Sequence, residues 1–394
     1  MMGAAVSLLL LAGLLVLAVP LAVFSLQVLA ACGPARRSGA LPAVRPSVAL
    51  LVPAHDEARG IAATLKNLLV QLQPGDRLLV VADNCSDDTA ARARAEGAEV
   101  IERQHDRLRG KGYALAFGVD HLRAAPPTVL VIVDADCELA PGALDPLVAA
   151  CLQADAPAQA LYLMQHATPP GLNGRVAAFA WRVKNWVRPR GAARLGLPCA
   201  LMGTGMAFPW RLIERAELAT GSIVEDMQLG IDLALAGHAP VFCEQALVTS
   251  RFPDTPEAAA SQRTRWEHGH LGMILQRAPG LVAAGLRRGD LRLLGLAADL
   301  VVPPLALLVL LLVSLWLAAG AAAWAGVGAM AWFAASLGLV LLASAVGLAW
   351  VGWGRAVLSL ADLVSVPWYV AGKLGIYLRF WSHRQKDWVR TDRE

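Results

Sequence analysis

The sequence predicts an α/β domain, with a mostly parallel sheet and helices on both of its faces, that is joined to transmembrane helices. Strand-like and helix-like patterns alternate between residues 46 and 280, and two long stretches outside this region contain no charged residue. The composition agrees, because 56% of the 394 residues are hydrophobic and only 17% are charged. Soluble domains are roughly 45–50% apolar and about 25% charged. Disordered, collagen-like and small disulfide-stabilised secreted proteins are therefore excluded.

The charge-free stretches are long enough to cross a membrane, which takes about 20 residues per helix. Residues 1–35 lack the basic start and short apolar region of a cleavable signal peptide, so we expect a retained transmembrane helix. The second stretch, 300–354, is long enough for two helices with a connection near 320–328. We assign these two helices to 293–352 and interfacial amphipathic helices to 256–292.

Residues 353–394 are predicted to form an interfacial helix followed by a basic cytoplasmic tail. The apolar part, 353–380, contains Arg355, Asp362 and Lys373, and such charges are costly inside a membrane. An interfacial helix with aromatic and basic anchors avoids this cost. A fourth membrane crossing is the alternative.

Basic residues flank the predicted spans, at Arg36, Arg37, Arg45, Arg287, Arg288, Arg292, Arg379, Arg384, Lys386, Arg390 and Arg393. Such flanks favour the cytoplasmic side. We therefore expect an integral protein of a bacterial inner membrane, with a cytoplasmic α/β domain and its N-terminus outside. The net charge of +4 is modest and favours contact with membrane lipids over nucleic acid.

The elements of the α/β domain follow from apolar runs and from their spacing. Near-continuous apolar runs, typical of a sheet buried on both faces, predict strands at 47–52, 77–81 and 128–133, and a short strand is predicted at 99–102. Helices are predicted between them, at 57–72, 88–96 and 113–123. Ligands of such sheets bind beyond the carboxyl ends of the strands, so the residues after each strand are the candidates for chemistry.

Acidic residues follow two of these strands. Asp83 comes after the second strand, where a carboxylate can bind a nucleobase or ribose, although aspartate is also common in turns. Asp134 and Asp136 form an Asp-X-Asp motif after the fourth strand, and alternate residues of an extended chain point to the same side. Two carboxylates on one side suit Mg²⁺ or Mn²⁺ bound to phosphates.

Charged residues also occur at two predicted helix starts. Lys111 lies in the segment RGKG, which either offers amides and cations to a phosphate or is a flexible basic turn. Glu225 and Asp226 open a later helix. Acids in a first turn usually complement the helix dipole, but one of them can also act as a general base.

The segment QRTRW lies on a helix predicted to begin near Pro256. Its Gln262, Arg265 and Trp266 share one helix face. An amide, a guanidinium and an indole on one face can bind a diphosphate and stack on a sugar ring. The alternative is an interfacial helix whose arginine and tryptophan contact lipid head groups.

Two further groups of residues are expected to be structural. His268 and His270 are too weak a pattern to indicate a metal site. The six cysteines show no CxxC pair or other metal-ligand spacing. We expect them to be free and buried thiols in a reducing compartment.

In their order along the chain, these motifs resemble those of the membrane-integrated family 2 glycosyltransferases, the group of cellulose, chitin and hyaluronan synthases and ceramide glucosyltransferases. The likeness covers 47–270 and includes VPAHDE at 52–57, similar to the family's VPAxNE. It implies a nucleotide-sugar-binding domain of the GT-A type at 46–255. His55 with Asp56, and Ala82 before Asp83, depart from the family pattern and leave nucleotide selectivity open.

The resemblance also implies roles for individual residues. Donor binding is implied for Pro53, Ala54, Glu57, Asp83, Lys111 and Asp134. Asp83 would contact a uracil, and Asp136 would bind Mg²⁺ or Mn²⁺. Asp226 would be the catalytic base, with Glu225 beside it. Contacts to the diphosphate and to the acceptor entrance are implied for Gln262, Arg265, Trp266, Gly203, Thr204 and Gly205.

The implied function is an inverting hexosyl- or N-acetylhexosaminyltransferase. It would move a sugar from a nucleotide sugar, a UDP-sugar on the resemblance, to a membrane-associated lipid or lipid-linked glycan in exopolysaccharide or glycolipid synthesis. A processive polysaccharide synthase is the alternative, and with so few spans it would need a homo-oligomer or a partner subunit. A catalytically silent scaffold that binds nucleotide sugar is disfavoured, since it would have no chemical need for both Asp136 and Asp226.

Overall fold

The structure is a computed structural model that describes residues 2–34, 45–253 and 255–382. The strands are β1 (Val48–Ala54), β2 (Arg77–Asp83), β3 (Glu99–Arg103), β4 (Val129–Ile132), β5 (Glu138–Leu139), β6 (Ala158–Gln165), β7 (Met206–Pro209) and β8 (Val241–Arg251). The helices are α1 (Met2–Ala31), α2 (Ile61–Leu69), α3 (Thr89–Ala95), α4 (Lys111–Leu122), α5 (Leu144–Ala154), α6 (Leu172–Arg182), α7 (Arg188–Arg194), α8 (Trp210–Ile213), α9 (Glu225–Leu235), α10 (Pro256–Arg288), α11 (Leu291–Leu300), α12 (Leu305–Trp324), α13 (Met330–Ala349), α14 (Leu360–Leu363), α15 (Val366–Gly372) and α16 (Leu374–Ser382). The basic positions Arg36, Arg37, Arg384, Lys386, Arg390 and Arg393 lie outside the described residues.

The strands form one mixed sheet in the order β3-β2-β1-β4-β7-β6-β8-β5. The half formed by β1 to β4 is parallel, as predicted. β7 pairs antiparallel with β4 and β6, β5 pairs antiparallel with β8, and β6 and β8 are parallel to one another. The predicted α/β architecture is confirmed, and the short strands β5 and β7 account for its antiparallel pairs.

The apolar runs form strands because both faces of the sheet are covered. Leu50 and Leu51 are neighbours in β1, yet they pack into different apolar clusters on opposite faces and both are fully buried. The strands β1 to β4 begin and end within two residues of the predicted runs. Only α2 is clearly shorter than its predicted range, because residues 58–60 form a turn and the helix begins at Ile61.

Three helices are long and apolar enough to span a membrane: Met2–Ala31, Leu305–Trp324 and Met330–Gly354. This is consistent with the predicted membrane integration. The two later spans begin at Leu305 rather than at 293, because α11 is a separate helix. Asp290 caps α11 by accepting hydrogen bonds from the Arg292 and Leu293 amides, and the buried side of α11 packs against α9 and α10.

Residues after the third span form three short helices, α14 to α16, where one interfacial helix was predicted. Arg175 of α6 donates two hydrogen bonds to Asp362, at 2.7 and 2.9 Å. Lys373 donates to Glu267 of α10 at 2.5 Å, and both side chains are buried. Two of the charges that disfavour a membrane crossing therefore bind helices of the α/β domain.

Helix α1 is joined to the α/β domain by a buried polar network. Arg188 Nε donates to Gln27 Oε1 at 3.0 Å, and Arg188 Nη2 donates to Asp299 Oδ1 at 2.8 Å. Gln27 Nε2 closes the triangle by donating to Asp299 Oδ1 at 2.7 Å. The helices approach closely here, because a Cβ on Gly191 would lie 1.9 Å from the Gln27 carbonyl oxygen.

This close approach predicts that Gly191→Ala destabilises the protein, although alanine is the better helix former. Overpacking typically costs about 1–3 kcal/mol, and here the clash is with backbone. The matched control is Gly280→Ala in α10, where the described residues leave the space around a new Cβ open. That variant should gain about 0.5–1 kcal/mol. Thermal unfolding in detergent compares the two, and equal melting temperatures would contradict the tight α1–α7 packing.

Candidate active site

A polar cavity of about 210 Å³ lies beyond the carboxyl edge of the sheet, between α9 and α10. The predicted site residues that line it are Lys111, Asp134, Gly203, Glu225, Asp226, Gln262, Arg265 and Trp266. They come from five separate parts of the sequence. The fold thus brings together one acidic pair, one lysine and the QRTRW face around a single space.

Lys111, the first residue of α4, joins two walls of this cavity. Its Nζ donates to the Gly203 carbonyl oxygen at 2.7 Å and forms an ion pair with Asp134. Desolvation alone would lower the pKa of Lys111, but the charges of Asp134, Glu225 and Asp226 raise it. The ammonium group therefore stays charged, and it offers a cation to any anion that enters.

Glu225 and Asp226 occupy the first turn of α9 and face the same cavity. Burial, reinforced by the charge of Asp226, raises the pKa of Glu225 to about 7. Burial also raises the pKa of Asp226, although the charge of Lys111 opposes the rise. A carboxylate with a pKa near the working pH is well suited to accept and release a proton.

The Asp-X-Asp motif follows β4 and forms a compact group with Cys137. Ligand atoms of Asp134, Asp136 and Cys137 all lie within 4.8 Å of one another. The Cys137 thiol is fully buried and soft, whereas Mg²⁺ and Mn²⁺ prefer oxygen ligands. The two carboxylates remain, and such hard oxygen donors fit Mg²⁺ or Mn²⁺. Asp134 and Asp136 are therefore the residues that could hold a divalent ion.

The loop of Gly203, Thr204 and Gly205 is held against this motif by a residue that sequence reasoning missed. Gln159 of β6 is fully buried, and its Nε2 donates to the Thr204 carbonyl oxygen at 2.9 Å. Its Oε1 accepts from the Met202 amide at 2.7 Å. Thr204 Oγ1 in turn accepts from the Asp134 amide at 3.1 Å. A glutamine within the apolar strand AQALYLM was the available signal.

Glycine is required at two points of this loop. Gly203 has a φ of +91°, and a Cβ there would lie 3.5 Å from Asp226 Oδ2. Gly205 has a φ of +64°, and a Cβ there would lie 2.6 Å from Val248 Cγ2. Both conformations favour glycine, and any side chain would reduce the space beside Asp226 or displace β8.

Among the predicted site residues, seven do not line the cavity: Pro53, Ala54, Glu57, Asp83, Asp136, Thr204 and Gly205. Asp83 lies at the end of β2, where Arg103 Nη1 donates to its carboxylate at 2.5 Å. The Glu57 amide donates to Thr89 Oγ1 at 2.8 Å. Pro53 and Ala54 end β1 beside β2. These residues border the site, but the Asp83 carboxylate is directed to Arg103.

The cavity also has lining residues that no sequence pattern indicated: Tyr162, Trp181, Lys184, Asn185, Arg188, His270 and Asp299. Trp181 packs against Trp266, with ring centroids 4.7 Å apart. His270 Nε2 bonds to the Leu300 carbonyl oxygen at 3.0 Å, and burial lowers its pKa to about 3. His268 likewise bonds to the Ile376 carbonyl oxygen at 2.9 Å, so both histidines join helices.

The cysteines are free in the structure. Cys137, Cys151, Cys199 and Cys243 are buried, whereas Cys85 is partly exposed and Cys32 is exposed. The prediction of free thiols is confirmed, and burial holds for four of the six.

Residues 46–269 match the family model described as glycosyltransferase like family 2. The chain belongs to this family. It uses a nucleotide sugar, as the glycosyltransferases of the family do. No curated protein matches the chain in sequence.

Solved structures of glycosyltransferases are similar to this family 2 member. A mannosyltransferase from Pyrobaculum calidifontis, in complex with GDP-Man and Mn²⁺, is 16% identical with a TM-score of 0.58, over 97% of this chain and 100% of that chain. Glucosyl-3-phosphoglycerate synthase from Mycobacterium tuberculosis, in complex with Mn²⁺, UDP and its product, is 21% identical with a TM-score of 0.37, over 61% and 87%. Mannosyl-3-phosphoglycerate synthase from Rubrobacter xylanophilus is 16% identical with a TM-score of 0.35, over 56% and 71%. The Pyrobaculum likeness shows a shared fold that includes the helices able to span a membrane.

The donor set predicts that Asp136→Asn weakens binding of Mn²⁺ by about tenfold or more, a loss that outer-shell changes alone can produce at metal sites. Mn²⁺ titration followed by electron paramagnetic resonance, with nucleoside diphosphate present, measures the affinity. Asp120→Asn on the exposed surface of α4 is the control.

Unchanged affinity in Asp136→Asn would place the ion elsewhere. A second group, Asp56, Cys85 and Asp87, also has its ligand atoms within 4.8 Å of one another. Asp87→Asn would then be the variant that loses the ion.

Proposed function

We propose that this family 2 glycosyltransferase is an inverting, metal-dependent hexosyl- or N-acetylhexosaminyltransferase. It transfers the sugar of a UDP-sugar to a membrane-associated lipid or lipid-linked glycan. One observation carries the proposal: a half-buried carboxylate pair with raised pKa values, a lysine and the QRTRW face surround one cavity beside two carboxylates that suit a divalent ion.

The reaction uses these groups as follows. An acceptor hydroxyl oxygen forms a bond to the anomeric carbon, and the bond from that carbon to the diphosphate oxygen breaks on the opposite side. Asp226 takes the hydroxyl proton. Lys111 and Arg265 stabilise the negative charge that develops on the nucleoside diphosphate. Asp134 and Asp136 would hold the divalent ion, which supplies further charge neutralisation at the diphosphate.

Partial burial of Arg265 favours this role. Its pKa is lowered by desolvation, while the charges of Glu225 and Asp134 raise it. Arginine remains protonated even so. A weakly hydrated guanidinium at the cavity wall binds a diphosphate strongly, since little water competes for it.

The proposal also concerns the nucleobase of the donor and the mode of transfer to the acceptor. A uracil is proposed from the resemblance of Asp83 and Lys111, with Pro53, Ala54 and Glu57 at the nucleotide site. The Pyrobaculum calidifontis protein was solved with GDP-Man, so guanosine donors belong in the assay. Single or limited transfer suits three spans better than processive synthesis, which would need an oligomer or a partner subunit.

The proposed location is a bacterial inner membrane, with the active site in the cytoplasm. The three apolar helices support membrane integration. Arg45, Arg287, Arg288 and Arg292 support the orientation, since they lie on the α/β-domain side of these helices. Nucleotide sugars would then reach the cavity from the cytoplasm.

Asp226→Asn should abolish sugar transfer, because loss of a general base alone typically costs about 10²–10⁴-fold. Donor binding should persist, since the cavity wall is otherwise intact. The full-length protein in detergent is assayed against UDP- and GDP-sugars, with mass spectrometry of lipid-extracted products. Near-normal turnover in this variant would show that Asp226 is not the catalytic base. Failure of the wild type to transfer or hydrolyse any donor would favour the alternative of a catalytically silent scaffold that binds nucleotide sugar.

The activity should fall as the pH decreases through the raised pKa of Asp226. A base must be deprotonated to act, and burial holds the pKa of Asp226 above the usual value of about 3.9. Glu225→Gln removes a neighbouring negative charge, so the acid limb of kcat/KM should move to lower pH. Glu102→Gln, on the exposed surface of β3, is the control. An acid limb that does not move would show that the two carboxyl groups titrate independently.

A further inference from the structure

A second cavity, of about 440 Å³, lies beside the polar one and is lined mostly by apolar side chains. Drug-sized ligands typically occupy pockets of about 300–1,000 Å³. The two cavities share six lining residues: Trp181, Lys184, Arg188, Gln262, Trp266 and His270. A molecule with an apolar and a polar part can therefore occupy both spaces.

The apolar cavity lies where the candidate spans meet the catalytic domain. Phe24 comes from α1, Val309 from α12 and Val346 from α13, and each lies within or beside an end of a candidate span. Phe179 and Val176 of α6 supply the wall on the side of the α/β domain. An apolar chain from the bilayer can enter such a space without crossing water.

The border between the cavities carries a π-helical turn, Val183–Val187, which presents two polar residues without an assigned role. Single π turns within α-helical segments are frequent at functional sites. Asn185 is 1% exposed, lines the polar cavity, and neither of its amide atoms has a hydrogen-bond partner among the described residues. A buried amide without partners indicates a missing ligand, because burial of unpaired polar atoms is costly.

Lys184 is an exposed cation of this border, and the charges of Asp226, Glu267 and Asp299 act on it. Its Nζ lies 5.5 Å from the Trp181 ring centroid, and it has no ion pair within the described ranges. The other cations of the apolar cavity have partners: Arg188 binds Asp299, Lys373 binds Glu267, and Arg263 donates to the Tyr369 hydroxyl. The site is thus complementary to an anion at Lys184, with an apolar chain beyond it.

We propose that the acceptor is an anionic phospholipid whose acyl chain occupies the apolar cavity and whose phosphate binds Lys184. A hydroxyl of its head group then extends to Asp226, and Asn185 hydrogen-bonds the head group. This assignment rests on the proposed function and names the acceptor class for the same site. In this transfer the head-group oxygen forms a bond to the anomeric carbon and Asp226 takes the hydroxyl proton. The bond from that carbon to the diphosphate breaks, and the nucleoside diphosphate leaves.

The first test measures preference between two lipids that differ by the phosphate. Phosphatidylglycerol and diacylglycerol, each in phosphatidylcholine vesicles with the full-length protein, are compared by kcat/KM for sugar transfer. The wild type should prefer phosphatidylglycerol, and Lys184→Met should reduce this ratio about tenfold or more, as loss of a charged hydrogen bond does. Lys184→Arg should retain most of the ratio. Lys66→Met, on the exposed surface of α2, is the control.

The second test measures lipid binding instead of turnover, so it gives a result even if neither lipid accepts sugar. Photoreactive analogues of both lipids, with the reactive group in an acyl chain, are cross-linked to the protein and mapped by mass spectrometry. Phosphatidylglycerol should label α6 and α13 at the cavity, and Lys184→Met should reduce this label about tenfold. Labels confined to the outer faces of α12 and α13 would overturn the proposal.

The outcomes separate the two proposals. Equal transfer to both lipids, or a ratio that Lys184→Met leaves unchanged, rejects the phospholipid acceptor and leaves the glycosyltransferase function standing. A wild type that neither transfers nor hydrolyses any nucleotide sugar rejects the proposed function. The cross-linking result then stands alone as the measure of whether the cavity binds phospholipid.

Discussion

The buried triangle of Arg188, Gln27 and Asp299 connects the part of the protein that can lie in a membrane with the part that belongs to the glycosyltransferase family. Gln27 comes from α1, Arg188 from α7 and Asp299 from α11, so one guanidinium fixes three helices. Removing one partner of a buried ion pair typically costs about 3–5 kcal/mol, because the other charge remains unpaired. Arg188 and Asp299 also line the polar cavity. The geometry of the site and the position of α1 therefore depend on the same contacts.

The same principle explains how charged residues are accommodated after the third span. Read from the sequence alone, Asp362 and Lys373 argue against burial beside apolar helices. In the structure Asp362 binds Arg175 and Lys373 binds Glu267, which joins α14 and α15 to α6 and α10. These pairs hold the helices that wall the apolar cavity. The partners of these ion pairs are 187 and 106 residues apart in the sequence, so local composition cannot predict them.

What could be predicted was local in origin. The parallel half of the sheet follows from unbroken apolar runs, and the carboxyl end of β4 points to Asp134 as a site residue, while the RGKG segment at the start of α4 points to Lys111. The antiparallel strand β7, only four residues long, has no comparable signal. Gln159 and Asn185 were missed because their importance lies in contacts: one holds a loop 43 residues away, and the other has no partner at all among the described residues.

The charges of the polar cavity constrain the order in which ligands can bind. Four cations, Lys111, Lys184, Arg188 and Arg265, line it together with four acids, Asp134, Glu225, Asp226 and Asp299, so the formal charges cancel when every acid is ionised. A diphosphate entering alone would add negative charge beside three acids. If a divalent ion accompanies it and binds Asp134 and Asp136, that ion competes with Lys111 for Asp134. Lys111, which donates to the Gly203 carbonyl oxygen, would then be available to bind the phosphates. Donor and ion should therefore bind together.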